Sequence, residues 1–167
     1  MKDYNRAIEL APDNASIYYN RGVLYVSQKD YDLALKDYDT SIRLNPANVS
    51  ALYNRGRLFQ FKHDFVPAQA DFSEAIRLAP KAAILYRERG SVYLRVNQFQ
   101  RALDDENEAV KLEPAMAYAY YLRGIAYAKL GDNDKASADT QKAVQLDPKL
   151  LQFIKLNGQS LAPPSAQ

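Results

Sequence analysis

The chain has 167 residues, 47% of them hydrophobic and 25% charged, with a net charge of +2. That is ordinary globular usage, and the charge is too small to argue for a nucleic-acid partner. No apolar run approaches the length needed to cross a bilayer, and the absence of cysteine excludes disulfides and thiolate chemistry.

Residues 1–14 read as the second helix of a truncated repeat. Asp3, Tyr4, Ala7, Ile8, Leu10 and Pro12 lie 34 residues before Asp37, Tyr38, Ser41, Ile42, Leu44 and Pro46. The first helix that should precede them is missing, so the chain reads as cut from a longer protein. No signal peptide is legible, which favours a cytoplasmic setting, although a signal can have gone with the missing part.

The first full repeat is 15–48. Its first helix runs from residue 15 to about residue 28, with Tyr18, Arg21, Gly22 and Tyr25 on one face and Asn14 as its cap. A glycine inside a helix costs roughly 1 kcal/mol against alanine, so Gly22 predicts close packing, with Ala34 as its neighbour. Asp30 is expected to cap the second helix, whose stripe is Tyr31, Ala34, Leu35, Tyr38, Ser41, Ile42 and Leu44. Pro46 stops it.

The repeat 49–82 follows the same scheme with Asn48, Gly56, Phe59, Phe65, Ala68, Phe72 and Pro80. Pro67 falls in the first turn after Asp64, where no intrahelical bond is lost. The repeat 83–116 keeps Gly90, Tyr93, Ala102 and Pro114 but places Glu106 where Tyr38 and Phe72 stood. A buried carboxylate there predicts a cationic or hydrogen-bonding neighbour, Arg123 or Arg89 first. The repeat 117–150 has Asn133 and Thr140 in place of aromatics, which predicts the loosest second helix. Residues 151–161 read as a capping helix and 162–167, with Pro163 and Pro164, as a disordered tail.

The recurrence of Tyr18, Gly22, Tyr25, Ala34, Tyr38, Ser41 and Pro46 every 34 residues resembles the tetratricopeptide repeat, over nearly the whole chain. One departure is the column Arg21, Arg55, Arg89 and Arg123, where that family more often carries a large apolar residue. The resemblance implies an all-α fold, a right-handed superhelical solenoid of antiparallel helix pairs with the first helices on a concave wall. It also implies a non-enzymatic protein–protein interaction scaffold that takes a peptide or partner segment in that groove. The alternative is a self-association or assembly module acting through the exposed end helices, and so a homo-oligomer.

On that frame the groove residues are Tyr19, Asn20, Tyr53, Asn54, Arg57, Phe61, Arg87, Arg95, Tyr118, Tyr121 and Lys129. Aromatics and arginine are the types enriched at interface hot spots. Arg57, Arg87, Arg95 and Lys129 outnumber Glu88, which suits an acidic peptide. Stacking should bring Tyr53, Arg57, Arg87 and Arg95 to one wall. Val23, Val26, Leu94 and Ile125 read instead as packing between neighbouring first helices. Some family members grip a terminal carboxylate with a lysine–asparagine clamp. Only Asn54 fits that design, and Tyr19, Val23, Ile84 and Glu88 occupy its other places, so such a clamp is not expected.

The arginine column is matched by Asp37, Asp71, Asp105 and Asp139, which predicts a ladder of ion pairs at the helix seams. No catalytic, cofactor or metal site is expected. His63 stands alone in a turn, and the acidic run 104–108 lacks the spacing of a calcium loop. No Cys/His cluster or glycine-rich phosphate loop is present, and the expected partner is a protein or peptide, not nucleic acid or membrane.

Overall fold

The computed structural model describes residues 2–157, which form ten α-helices with no strand among them. Met1, the end of the predicted capping helix beyond residue 157 and the predicted tail 162–167 lie outside the described residues. The chain divides after Ala79 into two compact units. The first holds α1 (Lys2–Leu10), α2 (Ala15–Ser27), α3 (Tyr31–Leu44), α4 (Val49–Phe61) and α5 (Phe65–Leu78). The second holds α6 (Ala83–Arg95), α7 (Phe99–Leu112), α8 (Ala117–Lys129), α9 (Asn133–Leu146) and α10 (Lys149–Asn157).

A short turn with a recurring backbone joins the two helices of each pair. Lys29, His63 and Asn97 have φ of 65°, 63° and 59°, and Gly131, the fourth of the set, has 89°. A residue in this left-handed region ends a helix sharply, and glycine enters it without steric cost. The next amide then closes the turn: Asp30 donates to the Tyr25 carbonyl at 2.9 Å and Asp64 to that of Phe59 at 2.8 Å. His63 is thus a turn residue, edge-on to Phe65 with ring centroids 5.7 Å apart.

The helix starts depend on local geometry. The Asn14 side chain accepts from the Ser16 amide at 3.0 Å, and that of Asn48 from the Ala51 amide at 3.1 Å. Asp30 occupies the cap position of α3, but its carboxylate makes no cap bond; ψ there is 62°, against 98° at Asn14. Pro67 sits inside the first turn of α5, and the helix runs on unbroken. The second helix of the fourth repeat, α9, buries only Ala136, Asp139 and Ala143.

In the first two repeats the glycine packs differently from the sequence expectation. A Cβ on Gly56 would stand 2.9 Å from Phe72 Cε1, and one on Gly22 would stand 2.7 Å from Tyr38 Cε1. The glycine therefore admits an aromatic ring from the second helix, not the small side chains of Ala34 and Ala68. A ring lying on bare backbone needs the width that the missing Cβ leaves. In the third repeat Glu106 takes the slot, its Cδ 3.1 Å from an ideal Cβ on Gly90. In the fourth, a Cβ on Gly124 would stand 3.1 Å from the Ala136 carbonyl and 3.2 Å from Thr140 Oγ1, so here the small-residue column is the neighbour, as the sequence predicted.

Beside each slot lies an ion pair of the predicted ladder. Arg21 donates from Nε and Nη2 to the two carboxylate oxygens of Asp37, both at 2.7 Å. Arg55 grips Asp71 in the same way at 2.8 and 2.6 Å, Arg89 grips Asp105 at 2.8 Å twice, and Arg123 grips Asp139 at 2.7 Å twice. In Arg21, Arg55 and Arg123 the third nitrogen reaches back to the preceding second helix. Nη1 of Arg21 donates to Asn5 at 2.9 Å, that of Arg55 to Asp39 at 2.6 Å, and that of Arg123 to Asn107 at 3.1 Å. Aromatic rings flank the guanidinium groups: Phe59 lies 5.9 Å from Arg55 and Tyr120 5.1 Å from Arg123. Glu106 does not obtain the partner expected for it. Arg89 and Arg123 are committed to the aspartates, and neither Glu106 oxygen has a hydrogen-bond partner.

Gly56→Ala should destabilise the chain by about 1–3 kcal/mol despite alanine's better helix propensity, because the buried Phe72 ring has nowhere to go. Gly124→Ala, which meets no ring, should cost less; urea denaturation of the two variants checks the order. Arg55→Ala should cost about 3 kcal/mol in the same measurement, since it leaves the buried Asp71 carboxylate uncompensated. A loss indistinguishable from that of an exposed arginine such as Arg6 would show that the fork is not holding the seam.

Candidate functional site

In the first unit the predicted groove residues of α2 and α4 converge. Asn54 Nδ2 donates to the Tyr19 hydroxyl at 3.2 Å, and the Asn54 side chain also hydrogen-bonds Tyr38. The Tyr19 and Tyr38 rings lie 6.1 Å apart. Burial pushes the Tyr38 hydroxyl up to about 12, so it stays neutral near pH 7. Tyr53 packs 6.3 Å from the buried Phe72 ring, and the exposed Arg57 guanidinium lies 5.6 Å from the Tyr53 centroid. Phe61 is 62% exposed and rests on Tyr31, ring centroids 5.0 Å apart. Asn20 is exposed on α2.

These side chains border a pocket of about 290 Å³. Val23 and Val26 come from α2 and Tyr31 and Tyr38 from α3, while α4 contributes Asn54, Arg57, Leu58 and Phe61. The lining is apolar and aromatic, with Arg57 as its one charge and Asn54 and the tyrosine hydroxyls as its other polar groups. Such a surface can take an aliphatic or aromatic side chain and hold a carboxylate beside it. Val26 packs against the cluster that includes Leu58 of α4, as expected of a residue between first helices, while Val23 is exposed; both form a wall of this pocket. Tyr31 and Tyr38 were legible only as a second-helix packing stripe; their length is the one signal that they could reach through the seam. Leu58 carried no groove signal, since its side chain is itself buried.

The second unit treats the corresponding residues differently. Arg87 Nη2 donates to Glu88 Oε1 at 2.7 Å, with the two side chains only 13% and 8% exposed. Arg87 also lies 5.4 Å from the Tyr118 centroid, and burial lifts the Tyr118 hydroxyl against the pull of that arginine. Tyr118 and Tyr121 have ring centroids 5.6 Å apart. Tyr121 is 2% exposed and edge-on to Phe153 of α10 at 5.9 Å, so its ring belongs to the core of this unit. Leu94 and Ile125 are buried in that core, as expected. Arg95 is half-buried, its Nε without a hydrogen-bond partner, and Lys129 is exposed at the end of α8. The predicted excess of positive charge is therefore smaller here, because Glu88 neutralises Arg87. Neighbours at i,i+1 point apart on a helix, so spacing gave no hint of that pair.

Two sequence profiles of the tetratricopeptide repeat match, one at residues 15–48 and 117–150 and the other at 53–112. The chain belongs to the tetratricopeptide-repeat family. Its fold class is accordingly the all-α helical-repeat solenoid, and it is a protein-interaction module. No curated protein matches the chain. Among solved structures, a MamA protein is 21% identical, with a TM-score of 0.81 over 97% of this chain and 86% of that one. A second MamA structure is 21% identical, with a TM-score of 0.82 over 89% and 87%. MamA from Desulfovibrio magneticus RS-1, residues 41 to the end, is 19% identical, with a TM-score of 0.80 over 87% and 82%. At these identities the likeness is one of fold. No helix among the described residues is long and apolar enough to cross a membrane, and no group of acidic or histidine side chains among them could hold a metal ion.

Proposed function

We propose that this tetratricopeptide-repeat chain is a non-enzymatic scaffold that seats a segment of a partner protein against α2 and α4. The partner's apolar side chain enters the pocket between Val23, Tyr31 and Phe61. An aspartate or glutamate next to it in the partner meets Arg57. The observation that carries this reading is the pocket itself: about 290 Å³, open, apolar, and bordered by a single cationic side chain. Phe61, 62% exposed and resting on Tyr31, is a large aromatic surface kept in water that docking would cover. Tyrosine and arginine supply rigid contact area and a planar fork for carboxylates at low entropic cost.

A library of random peptides displayed on phage, selected against the whole chain, tests the proposal. Selected peptides should carry Asp or Glu beside a large apolar residue. In fluorescence-anisotropy titrations of a selected peptide, Phe61→Ala and Arg57→Glu should each weaken binding about tenfold or more, or roughly 1.4 kcal/mol. Rising salt should weaken the wild type and leave the Arg57→Glu variant nearly indifferent. Affinities unchanged in both variants would place recognition elsewhere. A dimer in light scattering that survives both substitutions, with no peptide selected, would favour assembly through the end helices instead.

A further inference from the structure

Glu106 occupies a place that the first two repeats give to an aromatic ring. Tyr38 and Phe72 lie over Gly22 and Gly56, and the Glu106 carboxyl lies over Gly90 with Oε1 against it. The side chain is 0% exposed, and neither of its oxygens has a hydrogen-bond partner. An ionised carboxylate held so, without a protein donor or paired cation, is among the costliest groups a core can carry. A protonated carboxyl is neutral and compact, and fits the slot far more cheaply.

The charges around it are already committed. Arg87 and Glu88 of α6 are bonded to each other at 2.7 Å. Asp105, next to Glu106 on α7, is held by Arg89 at 2.8 Å, and Arg123 of α8 by Asp139 at 2.7 Å. Tyr118 of α8, near Arg87, is a neutral hydroxyl. Arg95, at the end of α6, is the cation of that helix whose buried Nε has no partner.

We infer that Glu106 carries a proton in the folded chain at neutral pH, and that losing it at higher pH loosens the seam of α6, α7 and α8, making the second unit a proton-sensitive part of the scaffold. Burial pushes this carboxyl well above the usual glutamate value; Arg87 pulls it down, while Asp105 and Glu88 push it further up. The sign follows from linkage. The folded state holds the proton more tightly than the unfolded chain, so stability is greatest below the unfolded value. It then falls as pH rises, until the folded carboxyl itself ionises. Because α6 also carries Arg87 and Arg95, a loosened seam shifts these two side chains with it.

Carbon-13 NMR of the whole chain, labelled at glutamate carboxyls, tests this directly, with Glu106 assigned as the signal lost in Glu106→Gln. The Glu106 signal should be that of a protonated acid at pH 7, with its inflection above. An inflection below pH 7 would overturn the inference, and one at or below the ordinary glutamate value of 4.5 would mean in addition that a cation such as Arg95 turns in to pair with it. Urea unfolding of the wild type and Glu106→Gln from about pH 5 to about pH 8 gives the second readout. The wild-type unfolding constant, divided by that of the variant, should rise about tenfold per pH unit. A ratio independent of pH would equally overturn it. Glu106→Phe, which restores the ring of the other repeats, serves as the neutral reference if the glutamine variant folds poorly.

Discussion

The side chain missing from the middle of each first helix sets the distance to its partner, and the rest of the repeat follows from it. With no Cβ at Gly22 or Gly56, the Tyr38 and Phe72 rings settle directly on the backbone. The ring lies sixteen residues after the glycine, and the aspartate of the ion pair lies the same sixteen residues after its arginine. Arginine immediately precedes glycine and aspartate immediately precedes the ring, so the two contacts are adjacent parts of one fit. Widening the slot by one methyl group would strain both. Packing at this density transmits the change instead of absorbing it.

The ion pairs play a different part from the rings. Asp71 and Asp105 are buried, and burial lifts their carboxyls against the pull of Arg55 and Arg89. Desolvation thus takes back much of what the short bonds give, as is general for buried pairs. What the pairs supply is direction. A guanidinium presents its donors at fixed angles, two toward the aspartate of its own repeat and one toward the preceding helix. Arg55 holds Asp71 at 2.6 Å and Asp39 at 2.6 Å at once, and so fixes α4 against both α3 and α5. Large apolar residues in the same column would bury comparable area without choosing a register.

Period, helix pairs, turns and the arginine ladder were all legible in the sequence, because each depends on residue types repeated at a constant offset. The family resemblance was legible for the same reason. What the sequence hid depends on reach and on competition in three dimensions. Gly56 faces Phe72 rather than Ala68 because a ring on the neighbouring turn extends further than a methyl group. Glu106 lacks Arg89 and Arg123 because Asp105 and Asp139 lie better placed for bidentate bonds. Tyr31 and Tyr38 reach the pocket from α3 because a phenol is long enough to cross the seam, which a hydrophobic stripe drawn on one helix does not reveal. Arg87 is neutralised by the residue beside it, a pairing that needs one side chain to bend back along the helix.

The two units diverge most where recognition is expected, and the cause lies in a few substitutions. In the first unit the positions facing the pocket hold Val23 and Arg57, one part-exposed and one charged, so that wall stays open to water. One and two repeats on, the matching positions hold Ser91 and Ile125, both buried, and Arg95 and Tyr118 lie beside them largely covered. Ile125, Leu122 and Tyr121 draw α8 into its own core together with Leu150 and Phe153. An interaction surface needs side chains that lose water on contact; Ser91, Ile125 and Tyr121 of the second unit have lost it already. The unit that spends its aromatic residues on its own core is also the one that seats a carboxyl over a glycine, where a ring would have filled the space without charge. Stability in that unit therefore rests on the core around Leu122, while the open, ring-lined face of α2 and α4 keeps apolar surface in contact with water, as the proposed function requires.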